Sequence, residues 1–321
     1  MNQIQKSRNR IETVLQQRIV VAIAAIFCCA LWGSAFPCIK IGYRLFAVDT
    51  ADYRSQILFA GIRFTLAGLM VILFAGLIQR KALVPKRTSW KMIIKLCMIQ
   101  TVLQYLCFYI GLANTTGVKA SIIEGANVFI AILVACIIFK MERFTVAKAV
   151  GSVAGFIGIV VVNIGNAPVT GGFQLMGEGM ILLSTVAYAV SSVLIKDFSK
   201  QESPVVLSGY QFLCGGIIMM LFGSISGGRI ETVSGSGIIM LFYLAFISAM
   251  AYTVWGTLLK YNEVSKVAVY GFTNPMFGVI LSAVFLEGEN QAISIYTGAA
   301  LILVCFGIYV VNRGKEQSGK L

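Results

Sequence analysis

The sequence predicts an all-α polytopic membrane protein whose ten transmembrane helices form two inverted five-helix repeats. Three observations lead to this prediction: the composition, the length of the apolar runs, and an internal similarity between the two halves. Of the 321 residues, 58% are hydrophobic and only 12% are charged, whereas soluble domains carry about 25% charged residues. Because so little charge accompanies so much apolar side chain, lipid is the expected solvent.

Ten apolar runs are each long enough to cross about 30 Å of hydrocarbon as a helix. A closed β-barrel also satisfies the backbone in lipid, but these runs are too long and continuous for alternating barrel strands. The predicted helices span residues 19–39, 55–78, 92–112, 118–139, 145–164, 176–195, 204–223, 237–258, 265–286 and 292–312.

The first run has a cleaved signal peptide as its alternative interpretation, because it follows a basic N-terminal stretch. The apolar region of a signal peptide is about 7–15 residues long and ends in a small-residue cleavage site. This run is longer and continues through Trp32 and Pro37. We therefore interpret it as the first transmembrane helix.

The distribution of Lys and Arg predicts that both termini lie in the cytoplasm. With the N-terminus inside, twenty of the 26 basic residues fall in inner segments and five in outer segments, while Arg63 lies within the second helix. This excess is the positive-inside signal, and two inner termini require an even number of spans. The inner face is the side of residues 79–91, 140–148, 196–203 and 260–266, and the outer face is the opposite side.

The two halves of the chain align at an offset of 147 residues, which places Tyr105 over Tyr252 and Asn127 over Asn274. Chance similarity between apolar helices is the alternative, and the matched polar positions argue against it. A five-helix unit has an odd number of spans, so the second copy inserts upside down. The predicted boundaries are an N-terminal cytoplasmic segment 1–18, a first repeat 19–165, a second repeat 166–312 and a cytoplasmic tail 313–321.

Composition also excludes several classes of function. The chain has no histidine and its eight cysteines form no C-x-x-C pair, so neither a metal site nor a cofactor is expected. The net charge of +13 lies in short connections that would face anionic lipid, so no nucleic-acid partner is expected. Inverted repeats are typical of secondary transporters, with the substrate site near the midplane between the halves.

Four segments of the chain resemble those of one protein family: LWGSAFPCIKIG (31–42), RFTLAG (63–68), FYIGLANTTGVKAS (108–121) and NPMFGVILSAVFLEGE (274–289). In this order they resemble an EamA-type member of the drug/metabolite transporter superfamily over essentially the whole chain. The resemblance implies the fold and a transport role, including export, but not the substrate. One departure is Val128, which stands where the family has a proline.

Two charged residues within the predicted spans are candidates for function. Glu124 lies in helix 4, where a carboxylate costs roughly 2.5–3.5 kcal/mol, and it is expected to contact a substrate amine or to carry a coupled proton. The alternative is a structural carboxylate paired with Lys119. Arg63 in helix 2 is expected to be structural, for example in an ion pair with Glu124, although it could also bind a substrate carboxylate.

Polar and aromatic residues at mid-span depth complete the candidate substrate site. Pro275 frees a backbone carbonyl in helix 9, which marks a helix break beside a cavity. Aromatic side chains at this depth do not fit an interfacial belt and can line a cavity, although packing is the alternative for each. The remaining predicted substrate-binding residues are Asn127, Asn274, Trp32, Gln104, Tyr105, Tyr109, Tyr188, Tyr252, Trp255 and Tyr270.

The sequence therefore predicts a secondary active or facilitative transporter that moves a small amino acid-like or amphipathic metabolite by alternating access. A channel and a membrane-embedded enzyme are the alternatives. The expected partners are a small-molecule substrate and the lipid bilayer of a bacterial inner or plasma membrane. The small residues Gly151, Gly155 and Gly298 allow close helix contacts within one chain or between two, so a monomer and a homodimer both remain open.

Overall fold

The computed structural model describes residues 12–115, 117–166, 172–285 and 295–313. These residues form helices joined by short connections, and no β-strand occurs among them. Nine of the helices in this part of the chain are long and apolar enough to cross a membrane. The prediction of an all-α, multi-pass membrane protein is confirmed. The predicted segments before residue 12 and after residue 313 lie outside the described residues, as do the predicted end of helix 9 and start of helix 10.

The helices are numbered α1 to α10 in chain order, and every one except α5 is among the nine candidate spans. The described apolar part of α5 is the shorter stretch Val146–Val161. The bounds are α1 Arg18–Leu45, α2 Tyr53–Gln79, α3 Arg87–Ala113, α4 117–138, α5 Val146–Asn166, α6 Leu175–Phe198, α7 Pro204–Ile225, α8 Gly235–Tyr261, α9 264–285 and α10 Ile295–Arg313.

Helix α1 continues past its predicted end at residue 39 to Leu45. Lys40 and Arg44 are exposed in this last stretch, while Gly42 and Tyr43 are buried. The final turns are thus amphipathic rather than apolar, and an apolar run alone underestimates such a helix. The outer connection to α2 shrinks accordingly to residues 46–52.

Each helix packs against particular neighbours: α2 against α7, α5 against α10, α1 against α8 and α9, and α6 against α3 and α4. The contact between α2 and α7 follows a glycine seam, defined as Gly61, Gly68, Gly216 and Gly223. A Cβ atom added at Gly61 would lie 2.4 Å from the backbone nitrogen of Met220, and one at Gly216 would lie 2.3 Å from that of Thr65. The two backbones approach so closely only because these side chains are absent.

Helices α4 and α9 are both interrupted near the middle. Helix α4 consists of Gly117–Gly125, a break at Ala126, Asn127–Leu133 and a π-helical end. Helix α9 consists of Val264–Ala268, a 3₁₀ segment and Thr273–Phe285. Pro275 follows the second interruption, whereas α4 is interrupted without a proline at Val128.

The predicted small-residue contact of α5 is made within the chain. A Cβ atom at Gly151 would lie 2.7 Å from the carbonyl oxygen of Gly307 on α10, and one at Gly155 would lie 2.3 Å from the ring of Phe272. Gly298 faces open space among the described residues, with nothing within 4 Å of an added Cβ atom. These contacts fix α5 against α9 and α10 and leave Gly298 outside the contact.

Candidate functional site

A cavity of about 910 Å³ lies between helices α1, α2, α3, α4, α6, α8 and α9. This volume falls in the range of about 300–1,000 Å³ that is typical of small-molecule sites. Lys40, Thr50 and Gln56 line one end of the cavity, near the predicted outer face, and Leu259 and Ala268 line the other. The described residues thus enclose a space large enough for a metabolite, formed within one chain.

The two predicted charged residues both line this cavity. Within the described part of the chain, Glu124 makes no ion pair or side-chain hydrogen bond with another residue, so the predicted Glu124–Arg63 ion pair is not formed. Arg63 is 5% exposed, and its Nε and Nη1 atoms are buried without a hydrogen-bond partner. Its guanidinium lies over the ring of Phe64, with Cζ 4.6 Å from the ring centroid.

Lys119 does not pair with Glu124, which was the structural alternative for that carboxylate. Its Nζ atom lies 2.8 Å from a carboxylate oxygen of Glu178, at the start of α6. Thr115 donates a hydrogen bond of 2.8 Å to the same carboxylate, and the backbone nitrogen of Gln174 donates another of 2.7 Å. Because Glu178 already neutralises Lys119 at the outer end, Glu124 is left facing the cavity.

The interrupted segments of α4 and α9 meet beside the cavity. Asn127, Asn274 and Pro275 all line it. The Oδ1 atom of Asn274 is buried without a hydrogen-bond partner. A Cβ atom at Gly271 would lie 3.8 Å from Oδ1 of Asn127, so the two helices approach each other here. Unpartnered amide oxygens of this kind are free to accept hydrogen bonds from a ligand.

Trp32 is the centre of an aromatic cluster on one wall of the cavity. Its ring makes edge-to-face contacts with Tyr252 and Trp255, with centroids 5.1 Å away in both cases, and with Tyr188 at 6.5 Å. The indole Nε1 atom is buried and has no hydrogen-bond partner. The wall therefore combines apolar ring faces with a hydrogen-bond donor that has no partner.

Helix α3 supplies a further part of the aromatic wall. A π-helical segment, Cys97–Leu103, comes directly before the cavity-lining turns and shifts the register of the helix. Gln104, Tyr105 and Tyr109 follow it and line the cavity, and Oε1 of Gln104 is buried and unpartnered. The hydroxyl of Tyr105 lies 2.7 Å from the hydroxyl of Tyr252, which joins α3 to α8.

Ten of the eleven predicted substrate-binding residues line the cavity, and so do Arg63 and Pro275. Tyr270 is the exception. Its side chain packs in the buried core instead, and its carbonyl oxygen accepts hydrogen bonds from Cys29 and Thr273. The 3₁₀ turn of α9 directs Gly271, rather than Tyr270, toward the cavity.

Several cavity residues escaped the sequence analysis. Phe108 follows Gln104 by one helical turn, and Ser184 and Ser192 flank Tyr188 at the same spacing. This periodicity could have identified them, because residues four apart share one face of a helix. Tyr43 lies on the amphipathic end of α1 that the apolar run did not include.

The described residues contain no group of three or more histidine, cysteine or acidic side chains that could hold a metal ion. The eight cysteines are free thiols. Cys28 and Cys29 are buried and donate to the carbonyl oxygens of Ala251 and Tyr270, as small packing residues would. The cavity lining offers charged groups, hydrogen-bonding groups and ring faces to a ligand.

Comparison with known proteins shows the family of the chain. The EamA-like transporter family matches the chain twice, over residues 19–164 and 175–313. An uncharacterized transporter of Archaeoglobus fulgidus is 27% identical over 307 residues, which cover 93% of this chain and 99% of the relative. The uncharacterized transporter YvbV of Bacillus subtilis is 25% identical over 300 residues, covering 92% and 93%.

Protein PecM of Dickeya dadantii is 27% identical over 249 residues, which cover 75% of this chain and 79% of PecM. A solved crystal structure at 18% identity superimposes with a TM-score of 0.73 over 91% of this chain and 95% of that one, so the two share a fold. The chain therefore belongs to the EamA-like transporter family, and it is a membrane transporter of the drug/metabolite transporter type rather than an enzyme.

Proposed function

We propose that this protein carries a small zwitterionic or amphipathic metabolite across the cell membrane by alternating access. In this proposal all ten helices cross the membrane, both termini are cytoplasmic, and two inverted repeats enclose one substrate site. Export is the proposed direction, because the family that the chain resembles includes metabolite exporters. A monomer is the proposed transport unit, because the cavity is formed within one chain.

Three features support the repeat. The family matches the two halves separately. The interruption of α4 at Ala126 and that of α9 at Val269–Phe272 come just before Asn127 and Asn274, which the 147-residue offset aligns. The hydrogen bond between Tyr105 and Tyr252 joins two residues that the same offset aligns. A substrate site between inverted halves is the usual arrangement in secondary transporters.

Glu124 and Arg63, the charged cavity residues that lie within predicted spans, carry the proposal about the substrate. A charge within the membrane is costly, and it normally finds a partner or performs a function. Glu124 and Arg63 line the same cavity without pairing with each other. A substrate with an amine and a carboxylate would satisfy both, and its apolar part would contact the rings of Trp32 and Tyr252.

A proton is the proposed coupling ion, with Glu124 as its carrier. The carboxylate lines the cavity and has no ion-pair partner in the described part of the chain. It could therefore be neutralised either by a substrate amine or by a proton, which is the exchange that couples the two movements.

The test is uptake into proteoliposomes of the purified protein, across a panel of amino acids, nucleosides, sugars and cationic drugs, with and without a pH gradient. We expect saturable uptake of one or more zwitterionic or amphipathic compounds, and counterflow when the same compound is preloaded. Flux that neither saturates nor shows counterflow would indicate a channel. A carrier that accepts only neutral sugars would contradict the proposed roles of Glu124 and Arg63.

A further inference from the structure

Six of the seven helices that line the cavity form two packed groups, and α2 belongs to neither. Helices α3, α4 and α6 pack together and form the first group, and helices α1, α8 and α9 form the second. The cavity lies between the groups and is lined by both. At its inner end, below Leu259 and Ala268, the connections of the two groups meet.

Glu142 joins the two groups at this inner end. It lies in the connection between α4 and α5, and its side chain is only 2% exposed. Its carboxylate accepts hydrogen bonds from the backbone nitrogen of Val264 and from the hydroxyl of Ser265 at 2.6 Å, both at the start of α9. Lys148 at the start of α5 neutralises it, with Nζ 2.9 Å from the same carboxylate.

Two lysines reinforce this junction. Lys148 also lies 3.3 Å from the carboxylate of Glu263, which comes just before α9. Lys196, near the end of α6, donates hydrogen bonds to the carbonyl oxygens of Leu259 and Asn262, at the end of α8. Each of these contacts ties the α4–α5 connection, α5 or α6 to the α8–α9 turn.

The ion pair at the outer face has a different arrangement. Lys119 and Glu178 join α4 to α6, which both belong to the first group. This outer pair therefore holds one group together, while the inner contacts hold the two groups to each other. The end of the cavity near Lys40 and Thr50 lies on the side of the outer pair.

We propose that Glu142 is an inner latch, whose bonds to Val264 and Ser265 keep the cytoplasmic end of the cavity closed. This inference rests on the proposed alternating access. A buried carboxylate with several donors is stable while all of them are present, and losing one partner leaves the others uncompensated. Release of Glu142 would separate the α4–α5 connection from the start of α9 and open the cavity to the cytoplasm.

The test measures from which face of the membrane a thiol reagent reaches the latch. It does not measure transport, so its failure can be told apart from failure of the proposed function. Val264 is fully buried, and Val264→Cys provides a thiol that the closed latch covers. The rate of its reaction with a membrane-impermeant thiol reagent is measured in inside-out vesicles. We expect Glu142→Gln to raise this rate more than about tenfold, and Ser265→Ala to raise it several-fold.

Glu202 supplies a matched control. Its carboxylate is also at the inner face and accepts hydrogen bonds from the backbone nitrogen of Lys86 and the hydroxyl of Ser89. These bonds join Lys86, just before α3, and Ser89, in its first turn, to the connection after α6, within the first group. We therefore expect Glu202→Gln to leave the reaction of Val264→Cys within about twofold of the parent rate, since no contact across the cavity is lost.

Three results would overturn the latch. One is an unchanged rate in Glu142→Gln, and another is an equal increase in Glu142→Gln and Glu202→Gln, which would indicate general loosening of the inner face. The third is an equal increase in right-side-out vesicles, because a misfolded chain would react from both faces. A rise confined to inside-out vesicles and to the variants at Glu142 and Ser265 would support it, whether or not the substrate is known.

Discussion

The hydroxyl groups of Tyr105 and Tyr252 lie 2.7 Å apart, although the two residues are separated by 147 positions in the chain. The same offset aligns the two halves of the sequence. A pair of corresponding residues can meet in this way only near the axis that relates the halves. The hydrogen bond therefore marks where side chains of α3 and α8 meet in the proposed inverted repeat.

Replacing either tyrosine of this pair by phenylalanine should lower stability by about 1 kcal/mol, because each variant leaves one hydroxyl in an apolar wall without its partner. The double variant Tyr105→Phe with Tyr252→Phe should cost less than the two single changes added together, since neither unpaired hydroxyl remains. Thermal unfolding of the detergent-solubilised protein, followed by tryptophan fluorescence, measures this. Strictly additive shifts of the midpoint would show that the two hydroxyls do not act together.

Arg63→Met should weaken transport of substrates that carry a carboxylate by about 10–100-fold, and should affect their uncharged amides much less. The reason is the loss of a charge-assisted hydrogen bond, which contributes about 1.5–3 kcal/mol. Arg54→Met is the matched control, because Arg54 is an exposed arginine at the start of the same helix. Competition by acid and amide pairs in proteoliposomes separates the two cases. Equal losses for acid and amide would assign Arg63 a structural role.

Glu124→Gln should remove the dependence of transport on external pH, because the amide cannot take up a proton. It should also lower the affinity for amine-bearing substrates by about tenfold or more, through loss of the charged acceptor. Initial rates measured from pH 5.5 to 8 in the variant and the parent provide the comparison. If the variant kept the full pH dependence of the parent, Glu124 would not be the coupling group.

The inner latch should stay closed over the neutral range and open only in acid. Burial alone would raise the pKa of the Glu142 carboxyl, but Lys148, the Ser265 hydroxyl and Lys196 outweigh it and hold this pKa below its ordinary value. Two further titratable groups lie beside the Glu142 carboxyl: Glu263, which contacts the same Lys148, and Cys136. A carboxylate with a lowered pKa stabilises the bonded state above its ordinary pKa of about 4.3, and this stability is lost as the pH falls through the lowered value.

The rate at which Val264→Cys reacts in inside-out vesicles should accordingly stay constant from pH 8 to pH 6, after correction for the reactivity of a free thiol at each pH. The Glu142→Gln variant has no such carboxylate, so its corrected rate should be flat over a wider range. A rise in the parent rate between pH 7 and pH 6 would mean that another group controls the opening.

Gly151→Ala should destabilise the protein by about 1–3 kcal/mol, because its new methyl group would lie 2.5 Å from a side-chain carbon of Val311 and 2.7 Å from the carbonyl oxygen of Gly307. Gly298→Ala on α10 is the control. It meets nothing within 4 Å among the described residues and removes a glycine from a helix, so no loss is expected. The midpoints of thermal unfolding of the two variants are compared with that of the parent. Equal decreases in the two variants would contradict the close contact between α5 and α10.

The sequence was sufficient to predict the class of fold and most of the cavity. Apolar length identifies helices in lipid, and a polar or aromatic side chain at mid-depth has few other places to face. For this reason the sequence predicts that Trp32, Gln104 and Glu124 face a cavity, and all three line the same one. Helical periodicity around Tyr188 would have extended the prediction to Ser184 and Ser192.

The remaining features depend on contacts that spacing along the chain cannot supply. The short distance along the chain makes Lys119 a candidate partner for Glu124, but Lys119 forms its ion pair with Glu178 from another helix. The π-helical segment of α3 and the 3₁₀ turn of α9 change the direction of the following side chains. Mid-span depth predicts that the aromatic side chain of Tyr270 lines the cavity, but the turn places Gly271 there instead.

The glycine seam between α2 and α7 has a consequence for experiments that rank positions by their tolerance to mutation. At Gly61, Gly68, Gly216 and Gly223 an added Cβ atom would lie between 2.3 and 2.7 Å from a backbone atom of the facing helix. A saturation screen scored by growth or transport would therefore report these positions as indispensable, and an alignment of relatives would show them as invariant. Neither signal would indicate contact with the substrate. A screen that measures protein abundance separately from activity would distinguish the two cases. Changes at the four glycines should lower abundance, whereas changes at Glu124 and Arg63 should lower transport alone.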